Sequence, residues 1–354
     1  MCTSWRERLA TAAAIKAKSH LIHLRLTCSD VEPHAYYRKE EIEKISEVFE
    51  ELCPPLCIER LTIGGYFGLK YPSWMMEPQT FLPNLGGLAL LDCVFCEQLP
   101  PLGLLPHLYY LEIEGASAVK SIGPEFFGFG DSARSSFPKL KFLSFENMPN
   151  WVEWSWCGKG EEEEPEGCPK LCDLVLEGCP KLRLLPEGLI CHSTALTRLR
   201  IKGAHSLTQV QNLLHLQYLE LTDCPHLERV SHLPVLKKLF VESCGGLKYV
   251  ESLNALENLK LEDSETDSLP EWLLGERQEE MQFQGLRRLR IYGTIQLLSR
   301  CTVGGSDWDT IRHIPRVYAY HIYEEPAYYI HYTKSPFSFD TNLPNNGEGT
   351  GSST

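Results

Sequence analysis

The sequence contains no apolar run of the roughly eighteen residues that a membrane-crossing helix needs, so no transmembrane segment is expected. It lacks Asn-x-Ser/Thr acceptor sites, and the opening Met1-Cys2-Thr3-Ser4-Trp5-Arg6-Glu7 is a poor secretory leader. A cytoplasmic or nuclear setting is therefore expected, with the 14 cysteines of the 354-residue chain as reduced thiols. Positive charge is scarce. Lys and Arg number 34 against 47 Asp and Glu, a net charge of −13. Such a surface repels phosphate, which argues against nucleic acid as a partner.

Signatures of chemistry are equally thin. Neither His-Glu-x-x-His nor Gly-x-Ser-x-Gly occurs. Cys93-Val94-Phe95-Cys96 has no second pair at zinc-finger spacing, and Cys168, Cys172 and Cys179 mostly follow a repeat spacing. The one Gly-Lys pair, Gly158-Lys159, lacks both the preceding Gly and the following Ser or Thr of a phosphate loop. No catalysis, cofactor or metal is expected. What is present is ordinary for a folded chain: 43% hydrophobic and 23% charged residues.

The dominant feature is repetition. Leu-x-x-Leu-x-Leu recurs in eleven copies, centred on Leu24, Leu61, Leu88, Leu111, Leu143, Leu174, Leu199, Leu219, Leu239, Leu259 and Leu289. Leu216-Gln217-Tyr218-Leu219-Glu220-Leu221 with Cys224 and Leu236-Lys237-Lys238-Leu239-Phe240-Val241 with Cys244 are clear examples. Three successive copies there are spaced 20 residues apart. Alternation within x-Leu-x-Leu-x means a short strand with its leucines on one face. One such unit cannot bury its leucines alone, and stacked units can. The fold expected is an α/β repeat solenoid, an irregular leucine-rich-repeat horseshoe with a parallel concave sheet.

The irregular spacings divide the chain. Residues 1–55 read as an N-terminal cap and first repeat, with Glu40–Leu52 an amphipathic helix inserted before the second. Residues 56–300 hold the repeats, interrupted at Gly128–Ser132 and by an acidic loop at 156–169. After about Arg300 the leucine period ends. Residues 301–343 are rich in tyrosine and read as a cap over the last repeat, followed by a disordered 344–354.

In stacked strands, equivalent outward residues form columns. The middle outward column reads Arg25, Thr62, Ala89, Glu112, Ser144, Val175, Arg200, Glu220, Phe240, Lys260, Arg290. Within it, Arg200 and Glu220 are expected to pair across strands. The next column reads Thr27, Gly64, Leu91, Glu114, Glu146, Glu177, Lys202, Thr222, Glu242, Glu262, Tyr292. Its row of three glutamates needs compensation by neighbours or a basic partner. Tyr109, Tyr110, Phe142 and Tyr218 lie close by as outward aromatics, a type favoured at interfaces. Lys237, Lys238, Arg287, Arg288 and Arg290 form a local basic patch suited to an acidic domain. The candidate protein-binding residues are thus Tyr109, Tyr110, Glu112, Glu114, Glu146, Glu177, Arg200, Lys202, Tyr218, Glu220, Phe240, Lys260, Arg290 and Tyr292.

Several stretches resemble a known family. They are Leu61-Thr62-Ile63-Gly64-Gly65-Tyr66-Phe67-Gly68 with Pro72-Ser73-Trp74-Met75, then Leu105-Pro106-His107-Leu108, Phe137-Pro138-Lys139-Leu140, Asn150-Trp151-Val152-Glu153-Trp154 and Ile314-Pro315-Arg316-Val317. Together they resemble the leucine-rich-repeat region of plant nucleotide-binding disease-resistance proteins of the coiled-coil class, without the nucleotide-binding domain. The resemblance implies recognition of a pathogen effector or guarded host protein, and regulation of a nucleotide-binding switch in cis or in trans. The alternative is a repeat adaptor outside immunity, such as a ubiquitin-ligase substrate receptor.

Overall fold

A computed structural model describes residues 15–28, 38–128, 135–155, 166–186, 194–274, 283–321 and 327–344. The chain divides into two compact units, Met1–Leu216 and Gln217–Thr354. The acidic stretch 156–165, the Gly-rich 129–134, and the expected disordered end beyond residue 344 lie outside the described residues.

The first unit is built on a parallel sheet. Its strands are β1 (His23–Thr27), β2 (Arg60–Gly64), β3 (Gly87–Leu91), β4 (Tyr110–Glu114), β5 (Phe142–Glu146), β6 (Asp173–Glu177) and β7 (Arg198–Lys202). Each pairs with the next copy in one fixed register, so Leu24, Leu61, Leu88, Leu111, Leu143, Leu174 and Leu199 oppose one another. From Leu61 onward these leucines and the apolar residues two places later are almost entirely buried. A one-residue slip would turn every one of them to the other face, which pins the register.

The second unit repeats the plan. It holds β8 (Tyr218–Thr222), β9 (Lys238–Glu242), β10 (Asn258–Glu262), β11 (Arg288–Tyr292) and β12 (Arg316–His321) in parallel, then β13 (Tyr328–Thr333) and β14 (Ser338–Thr341) antiparallel. The ladder therefore runs past Arg300. Val317 opposes Leu289 and Ala319 opposes Ile291, both buried. The tyrosine-rich tail adds strands to the sheet.

Helix is sparse, for a steric reason. A strand and two turns fill most of a 20-residue repeat, so the return paths between β8 and β10 are extended, with Arg229–Ser231 and Tyr249–Glu251 paired in parallel. Longer repeats have room for short helices such as Pro124–Phe127.

The turn after the strand explains another sequence regularity. Gly65, Asp92, Gly115, Asn147, Gly178, Gly203, Asp223 and Ser243 all have positive φ there. Gly, Asn and Asp tolerate that conformation best. It lets Asp92 N–H reach the Glu114 carbonyl at 2.8 Å and Asn147 N–H the Glu177 carbonyl at 2.8 Å, extending the ladder by one bond. At Gly178 a side chain would also press on Asn147 Oδ1, 2.8 Å from an ideal Cβ. Next comes the buried cysteine of the repeat. Cys179, Cys224 and Cys244 thiols donate to the carbonyls of Glu177, Thr222 and Glu242 at 3.5, 3.4 and 3.2 Å.

The inserted helix α1 (Lys39–Glu51) buries Ile45 and Phe49. Glu40 and Glu41 lie in its first turn, where acidic charge suits the helix dipole, and Glu41 accepts the Arg38 N–H at 2.8 Å. It is held by the family-like motif. The Phe49 ring lies 4.5 Å from that of Tyr66, and Trp74 Nε1 donates to the Phe49 carbonyl at 2.8 Å. Glu50 receives the Ser73 N–H and hydroxyl at 2.8 and 2.6 Å. The Trp-x-x-Trp motif packs inside as well, with Trp151 and Trp154 rings 4.9 and 5.5 Å from Phe145.

In the second unit, helix α2 (Ile295–Arg300) is capped by Thr294, whose Oγ1 accepts the Leu297 N–H at 3.1 Å. Buried Asp307 is gripped by Arg300, with Nη2 at 2.9 Å and Nε at 3.1 Å, and by the Ser306 hydroxyl at 2.8 Å. Burial alone would raise the Asp307 pKa. The Arg300 and Ser306 hydrogen bonds and the Leu269 N–H overcome it and hold the carboxyl below its ordinary value.

Two outcomes follow from these contacts. Leu239→Ala, which removes a wholly buried rung, is expected to cost about 2–5 kcal/mol. Thr222→Ser on the outward side should stay within about 0.5 kcal/mol. Urea midpoints measure both. A depressed carboxyl stabilises the fold above its unfolded pKa and loses that contribution as pH falls through the folded value. Wild type should therefore melt above Asp307→Asn by a constant margin from neutral pH down to about 4. The margin should close at lower pH in thermal melts.

Candidate functional site

Because the leucines face inward, the first, third and fifth residues of each parallel strand face outward. The fourteen sequence-derived candidates fall into two groups, one on each unit.

On the first unit, Tyr110, Glu112 and Glu114 share β4, Glu146 lies on β5, Glu177 on β6, and Arg200 and Lys202 on β7. Glu114, Glu146 and Glu177 are direct neighbours in register. Each carboxylate has a partner. Asn147 Nδ2 donates to Glu114 at 3.2 Å, the Ser144 hydroxyl to Glu146 at 2.7 Å, and Lys202 Nζ to Glu177 at 2.7 Å. Among the described residues, a cation reaches only Glu177 of the three. Glu146 keeps a carboxylate on either side and a hydroxyl as its one donor.

The first outward position, which the column reading did not consider, carries a second feature. Tyr110 and Phe142 oppose each other and stack with ring centroids 4.8 Å apart at 5°. The Tyr110 hydroxyl donates to Glu112 at 2.7 Å. Partial burial and that carboxylate push the Tyr110 phenol up to about 12. Tyr109 precedes β4, lies exposed, and its hydroxyl accepts from Arg60 Nη2 at 3.4 Å. The face is not open throughout. Ser144 and Val175 occupy outward positions yet are buried beneath larger neighbours.

The expected Arg200–Glu220 pair is replaced. Arg200 lies 3.4 Å from Asp173 of the adjacent β6, and Glu220 accepts the Tyr218 hydroxyl at 2.7 Å. The first-position carboxylate, a residue outside the column from which the pair was read, takes only Nη2 of the guanidinium, and the buried Arg200 Nε has no hydrogen-bond partner among the described residues.

On the second unit, Glu220 of β8, Phe240 of β9 and Lys260 of β10 meet in register, with Tyr218 two residues before Glu220 on the same face. With Thr222, Val241 and Glu242 they line a shallow hollow of about 160 Å³. The Tyr218 and Phe240 rings are 5.2 Å apart. Lys260 Nζ bonds Glu262 at 2.6 Å and lies 4.9 Å from the centre of the Tyr292 ring. Arg290 is exposed next to Lys260.

The sequence pattern missed how far this face extends. Tyr318 and Tyr320 of β12 and Tyr329 and His331 of β13 continue the same rows. Tyr292 and Tyr320 stack at 5.3 Å, and His331 Nε2 and the Tyr320 hydroxyl share a hydrogen bond at 3.1 Å. The available signal was the alternation Tyr318-Ala319-Tyr320, hidden because Val and Ala replace the leucines.

Catalytic and metal readings gain nothing. Cys93 and Cys96 are buried, and burial pushes the Cys93 thiol up to about 12, away from the thiolate that metals and electrophiles require. Among the described residues, no His, Cys, Asp and Glu group could hold a metal ion, and no helix is long and apolar enough to cross a membrane.

An inward leucine ladder, a positive-φ turn and a buried cysteine, repeated in register, define a leucine-rich-repeat protein. Comparisons place its relatives. Residues 3–116 match the family model described as R13L1/DRL21 LRRs. The chain is 29% identical to disease resistance RPP13-like protein 1 of Arabidopsis thaliana over 72% of its length and 25% of the relative's. It is 31% identical to disease resistance protein RGA2 of Solanum bulbocastanum over 62% of its length and 22% of the relative's. Among solved structures, the leucine-rich repeat domain of the type III effector XopL is 19% identical at a TM-score of 0.46, covering 70% of this chain and 75% of that one. The chain is thus similar to the leucine-rich-repeat part of plant disease-resistance proteins, and it spans a quarter or less of the length of these curated relatives.

The acidic row yields a stability test. Glu146→Gln should be neutral to stabilising, by about 0.5 kcal/mol at low salt, because it separates two like charges. The difference should vanish near 1 M salt, where screening acts within about 3 Å. Denaturation midpoints at both salt concentrations measure it.

Proposed function

We propose that this chain is a protein-recognition module of plant defence, which binds a pathogen-derived or guarded host protein through the outward sheet faces of its repeats. The observation that carries the reading is the hollow around Phe240. A large apolar side chain stands half-exposed on a sheet face, ringed by Tyr218, Glu220, Glu242 and Lys260. An apolar anchor within a polar rim is the usual anatomy of a binding hot spot. The Tyr218–Glu220 and Lys260–Glu262 bonds hold the rim side chains in place, which lowers the entropy cost of binding. Buried thiols and hydrogen-bonded carboxylates offer no activated nucleophile, in keeping with a binding role and no catalysis. The similarity to disease-resistance proteins supports the defence setting and, in a longer receptor or beside one, control of a nucleotide-binding switch.

Affinity capture from infected tissue tests this, with wild type compared with Phe240→Asp and Tyr218→Ala. Both sites are outward, so thermal melts should stay close to wild type while a captured partner is lost. Capture of the same partners by all three proteins would remove the hollow as a docking site.

A further inference from the structure

We infer that the outward face of the second unit accepts an acidic segment of a partner protein, laid along a row of unpaired cations and bedded on tyrosine rings. The inference rests on the recognition role proposed above and specifies the chemistry of the ligand.

The first outward position of this unit reads Lys238, Asn258, Arg288, Arg316 across neighbouring strands in register. Strands about 4.8 Å apart place the two ends of this row roughly 14 Å from each other. Arg290 lies two residues along β11 from Arg288, on the same face. Lys238, Arg290 and Arg316 are exposed and Arg288 is half-buried. None of these four cations forms an ion pair among the described residues. Other cations of the unit do: Arg229 with Glu251 at 2.8 Å, Lys260 with Glu262 at 2.6 Å, Arg300 with Asp307 at 2.9 Å and Arg312 with Asp309 at 3.0 Å.

In a chain of net charge −13, carboxylates are the abundant partner, and this row has been left without them. The carboxylates of this face on β8, β9 and β10 (Glu220, Glu242 and Glu262) sit at the third and fifth outward positions, away from the first-position row. On β11 and β12, Tyr292 and Tyr320 take that position and stack at 5.3 Å. The result is a basic edge beside a pair of stacked tyrosine rings. Arginine matches the planar carboxylate with two parallel bonds, and tyrosine supplies contact area at low entropy cost. A peptide with spaced Glu or Asp side chains fits a row of this length. A nucleic-acid backbone would bring continuous phosphate charge toward Glu262, Glu242 and an acidic protein.

Fluorescence anisotropy on the full chain tests the inference, using fluorescein-labelled poly-glutamate, a single-stranded oligonucleotide and poly-lysine at low ionic strength. Poly-glutamate is expected to bind in spite of the unfavourable net charge, with affinity falling steeply as salt is added. Arg288→Gln with Arg290→Gln should weaken it roughly tenfold, since two charge contacts are removed. The exposed pair Lys238→Gln with Arg316→Gln should do the same independently of any effect on folding at β11. Lys39→Gln with Lys44→Gln, which removes two exposed cations from α1, should leave it unchanged. Failure of poly-glutamate to bind, or an oligonucleotide binding as tightly, would overturn the inference. So would self-association in sedimentation that Glu114→Gln with Glu146→Gln abolishes, since the occupant would then be a second copy of this chain. Loss of partner capture in Phe240→Asp without poly-glutamate binding removes this inference and leaves the recognition role standing.

Discussion

Burial of alternate strand residues in one fixed parallel register is the constraint on which everything else depends. Leu111 opposes Leu143 and Leu174 because only that register puts all three out of water. Once the even positions are committed inward, the odd positions have no freedom about facing outward. The outward columns are thus a by-product of the hydrophobic effect, and they set side chains from successive repeats about 4.8 Å apart. A strand of five residues offers three such positions, which is enough to build a surface and too few to build a deep pocket.

That spacing makes charge a packing problem. On the first unit, a carboxylate recurs at the fifth position of three adjacent strands, and the protein answers with an amide, a hydroxyl and a lysine, one for each. Arg200 likewise turns to Asp173. On the second unit the opposite sign accumulates at the first position without an answering group. The same geometry that obliges neighbours to meet therefore produces a hydrogen-bonded row in one unit and, among the described residues, a row without ion pairs in the other. An unsatisfied row on an acidic protein is a surface on which a ligand can still gain binding energy.

The motifs most like those of disease-resistance proteins act in packing. Tyr66 and Trp74 hold α1, and Trp151 and Trp154 fill the space beside Phe145. Long repeats have more interior to fill than leucine can cover, and aromatic rings supply the volume. Such residues identify the scaffold. They leave the outward positions, where the candidate binding residues lie, free to differ.

The period of the leucines and the following cysteine were enough to determine the parallel repeat fold and which face of each strand is dry, because alternation is a local property. They also placed the acidic row and the Phe240–Lys260 neighbourhood, since register carries column positions directly from sequence to space. Tertiary structure alone decided the partners of those charges. Asp173 takes Arg200, and the Glu220 that the column suggested bonds Tyr218. It also decided that Val317 and Ala319 prolong the ladder, bringing the tail tyrosines onto the outward face. The reason is physical: side-chain length and rotamer choose among several neighbours within reach, and a small Val or Ala completes a buried rung only when larger surrounding residues close the space around it.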